Sequence, residues 1–307
     1  MSSEELNATG LITNTPSGSW FENLKRTWQS VSSKIASFSE VVGQVLVTFG
    51  DAVYQHLQAH DKFYLILMQL GWPPLTNKSA YESEFLKIVQ DYEKNGLDAV
   101  KDRIESMMFK RHDDEYLKKL LQEWAKSPLL KSRIHILRPA LNAHIRGEYI
   151  LAIPVMLPQI EGIIASGFRF SGWMKAEKFK KHIESLLHEA IVIKSKNEAI
   201  REFVTVKLMV PFLHGQTVES PLSRHAILHG ADLNYGTKAN SLKLILFLEN
   251  LRQLFRFEAL EDGTLFHVYG CLSLRASVKK RLFFSNAQEA IRMGLRGCKR
   301  CRARQYY

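Results

Sequence analysis

The chain has 307 residues, 46% hydrophobic and 24% charged, which is enough for two domains and excludes a disordered or low-complexity chain. Its three cysteines form an odd set unsuited to a disulfide framework. The net charge of +11 is concentrated: from Thr264 to Tyr307 ten Lys and Arg residues face a single acid, Glu289, so this segment carries +9 and the rest of the chain only +2. Such asymmetry points to a polyanionic partner, most often nucleic acid.

The first residues, MSSEELNATG, lack a basic-then-apolar signal pattern. No uncharged apolar run reaches the roughly 18 residues needed to span a bilayer. The expectation is a cytoplasmic protein with no membrane contact. Residues 1–18 are rich in Ser, Thr, Asn and Gly and are expected to be disordered. Helical periodicity dominates from Trp20 onward, broken at Gly71-Trp72-Pro73-Pro74. Ala80–Asn95, Leu97–Phe109 and Asp114–Ser127 are predicted as three successive helices, completing an N-terminal helical region over 19–127.

Pro128 restarts the chain, and an all-α bundle is predicted over 128–258. Leu129–Arg146 forms a helix disturbed at Pro139. Tyr149–Ile164, apolar all round except at Gln159 and Glu161, is expected to be a central helix. Lys175–His188, Lys196–Leu208 and Ser241–Phe257 supply the rest. After the turn signal Glu261-Asp262-Gly263, the short runs Thr264–Val268 and Arg281–Ser285 and the capped helix Ala287–Met293 suggest a small ββα module over 264–307. The predicted fold class is therefore mainly α, a helical bundle followed by a small C-terminal module.

A module of about 44 residues needs a staple, and the sequence provides one. His267-x3-Cys271 and Cys298-x2-Cys301 place every cysteine of the chain in one window. Imidazole and thiolate donors in two close pairs suit one tetrahedral, structural zinc ion, against the plainer reading of buried free thiols beside a histidine. By linkage the metal would supply much of the folding energy of the module.

The stretch FHVYGCLSLRASVKKRLFFSNAQEAIRMGLRGCKRCRAR is similar to the metal-binding module of the bacterial Ada alkyl-repair protein, a module also found appended to other proteins. The likeness rests on the ligand spacings, RLFFSNAQEA and GLRGCKRC. It implies zinc ligation and nucleic-acid contact, with Arg275, Lys279, Lys280, Lys299 and Arg300 as backbone-contacting candidates whose binding would be salt-sensitive. In that family a cysteine accepts a methyl group at the position His267 occupies here. An imidazole is not the activated thiolate the transfer needs, so methyl-acceptor chemistry is not expected.

In the bundle, Arg224-His225-x3-His229 resembles the motif of HEPN domains, all-α proteins that often cleave RNA without a metal. The resemblance implies Arg224 and His229 at the scissile phosphate, with His225 and Glu161 as neighbours and a homodimer that brings two motifs into one cleft. An arginine and a histidine five apart sit about 140° from each other on a helix, so a single copy does not align them. The spacing also recurs, in looser form, between Arg138 and His144. Three alternatives stand beside it: His225 and His229 as a metal pair with Asp232, Arg224 as an ordinary ion-pair residue, and a helix end at His229-Gly230. A buried Glu161 would be costly without a partner, so it is expected to lie close to Arg224 or His229. The sequence holds no nucleotide-binding loop, and no nucleotide cofactor is expected.

Overall fold

The computed structural model describes residues 25–31, 33, 40–75, 82–187, 194–274, 277 and 279–306. The expectation for residues 1–18 lies outside them. The chain divides into two compact units, Met1–Phe63 and Tyr64–Tyr307. The first holds helical residues 25–31 and most of α1 (Glu40–Gln69), with Trp28 Nε1 donating to Asp51 Oδ1 at 3.0 Å.

The second unit carries a helix wherever one is predicted, several with ends shifted by a turn or more, and a further short one on the Arg224 motif: α2 (Glu82–Asn95), α3 (Asp98–Arg111), α4 (Asp114–Lys126), α5 (Ile134–Ile145), α6 (Tyr149–Phe168), α7 (Ala176–Glu184), α8 (Lys194–Glu202), α9 (Arg224–Leu228) and α10 (Lys238–Leu254). Helix α4 shows why the periodicity is legible. Asp113 caps it by accepting from Tyr116 N at 2.8 Å, and Leu117, Leu120, Leu121 and Trp124 form its buried stripe. Helix α8 continues into a π-helical stretch, Phe203–Leu208.

Helix α6 is central as expected, packing against α5, α7, α9 and α10, but α10 is the more fully buried helix. Leu242, Leu244–Leu248 and Leu251 are all buried, and the buried carboxylate of Glu249 is satisfied by Trp124 Nε1 at 2.9 Å, Gln253 and Arg252. Helix α6 buries Ala152, Ile153, Met156, Leu157, Ile160, Ile163, Ile164 and Gly167, but leaves Ile150, Leu151 and Val155 exposed. Its apolar surroundings therefore extend only partway round it. By length and composition α6 alone among the described helices could cross a membrane. Pro154 lacks the amide that would bond Ile150 O, and the Tyr235 hydroxyl donates to that carbonyl instead, at 3.3 Å.

A sheet of four strands follows: β1 (Phe257–Leu260), β2 (Leu265–Val268), β3 (Arg281–Phe284) and β4 (Arg296–Gly297), with α11 (Ala287–Arg292) between the last two. The strand order is β3-β1-β2-β4, antiparallel except for β2 beside β4. The module thus gains a central strand that the ββα expectation lacks. Phe257, expected to end a helix, opens β1, because α10 stops at Leu254 and Phe255, Phe257 and Ala259 then alternate inward. The turn at Glu261-Asp262-Gly263 closes with Gly263 N donating to Leu260 O at 2.9 Å.

Module and bundle are joined by an aromatic cluster. Phe255 meets Phe168 at 5.5 Å and Phe283 at 4.9 Å between centroids, all near edge-to-face. Gly167 lies so close to Phe255 that a Cβ there would stand 2.5 Å from its ring.

Candidate functional site

The ligand atoms of His267, Cys271, Cys298 and Cys301 all lie within 4.8 Å of one another, the one such group of His, Cys, Asp or Glu among the described residues. The fold explains the convergence. His267 lies near the end of strand β2 facing inward, and the chain then turns through Val268–Cys271, with Cys271 N donating to Val268 O at 3.1 Å. Gly270 takes φ +83°, which a side chain would strain, and so lets Cys271 fold back toward His267; its Sγ is 3.4 Å from His267 Nδ1. The second pair sits on a knuckle after β4, where Arg302 adopts φ 53° and Ala303 N donates to Cys298 O at 3.1 Å.

The donor set fits a metal ion. None of the three thiols is in a disulfide, and Cys271 and Cys298 are buried. Burial pushes the Cys301 thiol up to about 11, while Val268 N donates to its sulfur at 3.3 Å. Burial also opposes ionisation of Cys298, but hydrogen bonds from the amides of Cys301 and Arg300 and from the Cys301 and Cys271 side chains together outweigh it and hold that thiol below its ordinary value. Burial lowers the pKa of His267, keeping the imidazole neutral as ligation requires. A cation at the centre would deprotonate the thiols outright and relieve the burial cost.

Two residues behind the site are missed by sequence reasoning. Glu258 on β1 lies directly opposite His267 on β2. Its carboxylate accepts from Gly270 N at 2.9 Å and forms a buried ion pair with Arg281, at 1% and 8% side-chain exposure. Glu258 thus fixes the turn that presents Cys271. Only the pairing of the strands reveals this, and the pattern of β1 by itself fits the end of a helix.

In the bundle, Arg224 Nη2 is 2.7 Å from Glu161 Oε2, with both side chains about a quarter exposed. Ser223 caps α9 by accepting from Ala226 N at 3.3 Å, and His229 ends it. His225 and His229 stack with centroids 6.2 Å apart, and Phe212 lies against His229 at 5.9 Å. Burial, and then Arg224 and His229, lower the pKa of His225. Asp232 does not join the two histidines as a ligand group; its Oδ1 accepts from Asn234 N at 2.8 Å. The looser Arg138–His144 pattern is dispersed, since Arg138 is exposed while His144 is buried against Ser241 Oγ at 2.8 Å.

Of the candidate nucleic-acid contacts, Lys279 pairs with Asp262 at 2.7 Å and Lys280 with Glu261 at 2.6 Å. Lys299 and Arg300 are exposed on the cysteine knuckle, and Arg275 lies outside the described residues. Trp72 and Trp124 are core residues, whereas Trp173 is 91% exposed. Comparison with family models, with curated proteins and with solved structures yields no match.

Proposed function

We propose that the chain is a metal-independent endoribonuclease of the HEPN kind whose C-terminal Ada-type module, folded around one structural zinc ion, binds nucleic acid. The observation that carries the reading is the meeting of Glu161, Arg224, His225 and His229 at one partly open place on the helical body. RNA brings its own nucleophile, the 2′-hydroxyl. Attack on the adjacent phosphorus forms the 2′-O–P bond and breaks the bond to the 5′-oxygen, leaving a 2′,3′-cyclic phosphate and a 5′-hydroxyl. His225, neutral at pH 7 because burial and Arg224 lower its pKa, is suited to take the 2′-hydroxyl proton. In this reading His229, exposed at the end of the same short helix, returns one to the leaving oxygen. Glu161 holds the Arg224 guanidinium in one orientation, where it can stabilise charge developing on the phosphate.

A homodimer belongs to this reading. Ile150 and Leu151 on α6 and Leu233 after α9 are each at least 60% exposed, an apolar surface on the elements that carry the cluster. A second reading has an observation of its own. Arg224 is already paired by Glu161 within its own chain, which suits a non-enzymatic, zinc-dependent nucleic-acid-binding protein with a helical dimerisation body.

The test is cleavage of mixed RNA in EDTA by the wild-type chain, Arg224→Ala and His229→Ala. Products with 2′,3′-cyclic phosphate ends that disappear in either variant support the nuclease. Intact RNA with folded, zinc-loaded protein in metal-free buffer supports the second reading.

A further inference from the structure

Where the bundle meets the C-terminal module, the surface opens into a cleft of about 720 Å³. Its walls come from both parts. The end of α6 and helix α7 contribute Arg169, Lys178 and Lys181, and the segment leading into β3 contributes Lys279, Lys280 and Arg281, with no carboxylate among the described residues of the lining. Three of these cations are tied to acids outside the lining: Lys279 to Asp262, Lys280 to Glu261 and Arg281 to Glu258. Lys178 and Lys181 are exposed and form no ion pair among the described residues, although Lys178 stands 5.6 Å above the Phe170 ring.

The remaining lining is largely aromatic. Phe168 and Phe283 meet edge-to-face at 5.1 Å, and the His182 ring stacks on Phe168 at 4.3 Å. His182 Nε2 is buried without a hydrogen-bond partner among the described residues. Trp173, almost fully exposed, stands on the segment between Arg169 and α7.

We infer that this cleft binds the backbone of single-stranded nucleic acid, seating one or two nucleotides between the cations of α7 and those of the module. The chemistry fits a strand: unshared cations recognise phosphates, and the partly exposed Phe168 and His182 rings beside them offer flat surface to a base, whereas Phe283 is buried in the joint. A concave site of this volume is large enough for a nucleotide or two. The cleft is also a composite, so a strand would be gripped only while the metal-stapled module stays folded against the bundle. The inference rests on reading the chain as a nucleic-acid-acting protein, but it concerns binding and stands or falls separately from cleavage.

The test uses the zinc-loaded full chain and fluorescent single-stranded 12-mers that cannot be cleaved, one of DNA and one of 2′-O-methyl RNA. Affinity is read by anisotropy across a salt series. Lys178→Glu with Lys181→Glu, both surface changes, is expected to weaken binding at least tenfold at 0.1 M salt. If each lysine neutralises one phosphate, the log–log salt slope falls by about 1.4. Circular dichroism and zinc content verify that the variant is folded. Wild-type affinity in the double variant overturns the inference. So does a nucleoside monophosphate that displaces the 12-mer at an equal phosphate concentration, which would make the cleft a small-molecule site.

Discussion

Glu258→Gln is a sharp probe of how the module is held together. The wild-type carboxylate has two tasks, neutralising Arg281 in a place where the two side chains are 1% and 8% exposed, and accepting from Gly270 N at 2.9 Å in the turn between His267 and Cys271. The substitution keeps the shape and an acceptor but removes the charge, leaving a buried guanidinium uncompensated at a cost of about 3–5 kcal/mol. The module has a small core of its own, Phe257, Ala259, Phe266, Phe284 and their neighbours, so a loss of this size is a large share of what keeps it folded. Metal binding then has to work against it, and zinc affinity should fall by about 10–100-fold, the usual effect of disturbing a residue that orients a ligand. Competition with a chromogenic chelator measures this directly. Removing both charges, as in Glu258→Gln with Arg281→Met, should recover most of the loss. Undiminished zinc affinity in Glu258→Gln, or a double variant worse than either single one, would refute the reasoning.

Other perturbations address other parts of the molecule. Gly167→Ala drives a Cβ to within 2.5 Å of the buried Phe255 ring and should destabilise the chain by about 1–3 kcal/mol; an unchanged thermal midpoint would count against the aromatic joint. Burial lowers His112 and His144 to about 4, so both are neutral in the folded chain. Their contribution is complete above the unfolded value near 6.5 and is lost as pH falls from there toward about 4. Each should cost about 2 kcal/mol between pH 6.5 and 5, seen as a lower urea midpoint that His144→Gln makes less steep. If the chain forms the proposed homodimer through α6, Leu151→Asp, at an exposed site on that helix, should lower the mass in light scattering to that of a monomer; an unaltered mass would count against that contact.

The helices and the candidate metal-binding cluster are legible because their signals are local. Leu117, Leu120, Leu121 and Trp124 repeat at helical spacing behind an Asp113 cap, and the cysteines cluster at spacings that a turn and a knuckle can close. What escapes the sequence depends on neighbours far along the chain. The run Phe255–Leu260 fits a helix end as well as a strand, and only pairing with β2 and β3 makes it one. Helix α6 is central as its composition suggests, yet Ile150 and Leu151 stay largely exposed, while α10, with its polar Glu249 and Asn250, is the more fully buried one. Glu161 is expected near Arg224 or His229 on energetic grounds, and the ion pair with Arg224 meets that expectation. The basic cleft gathers Lys178 and Lys181 with Lys279 and Lys280 from segments about a hundred residues apart, a convergence no local pattern records.

The account depends most on one metal ion joining the four residues of the C-terminal module. X-ray absorption at the zinc edge of the purified full chain, with metal content measured on the same sample, tests it most directly. One zinc per chain, with three sulfur neighbours at about 2.3 Å and one nitrogen at about 2.0 Å, is the predicted result. A chain that folds its module without metal, or a zinc ion surrounded by oxygen, would contradict it.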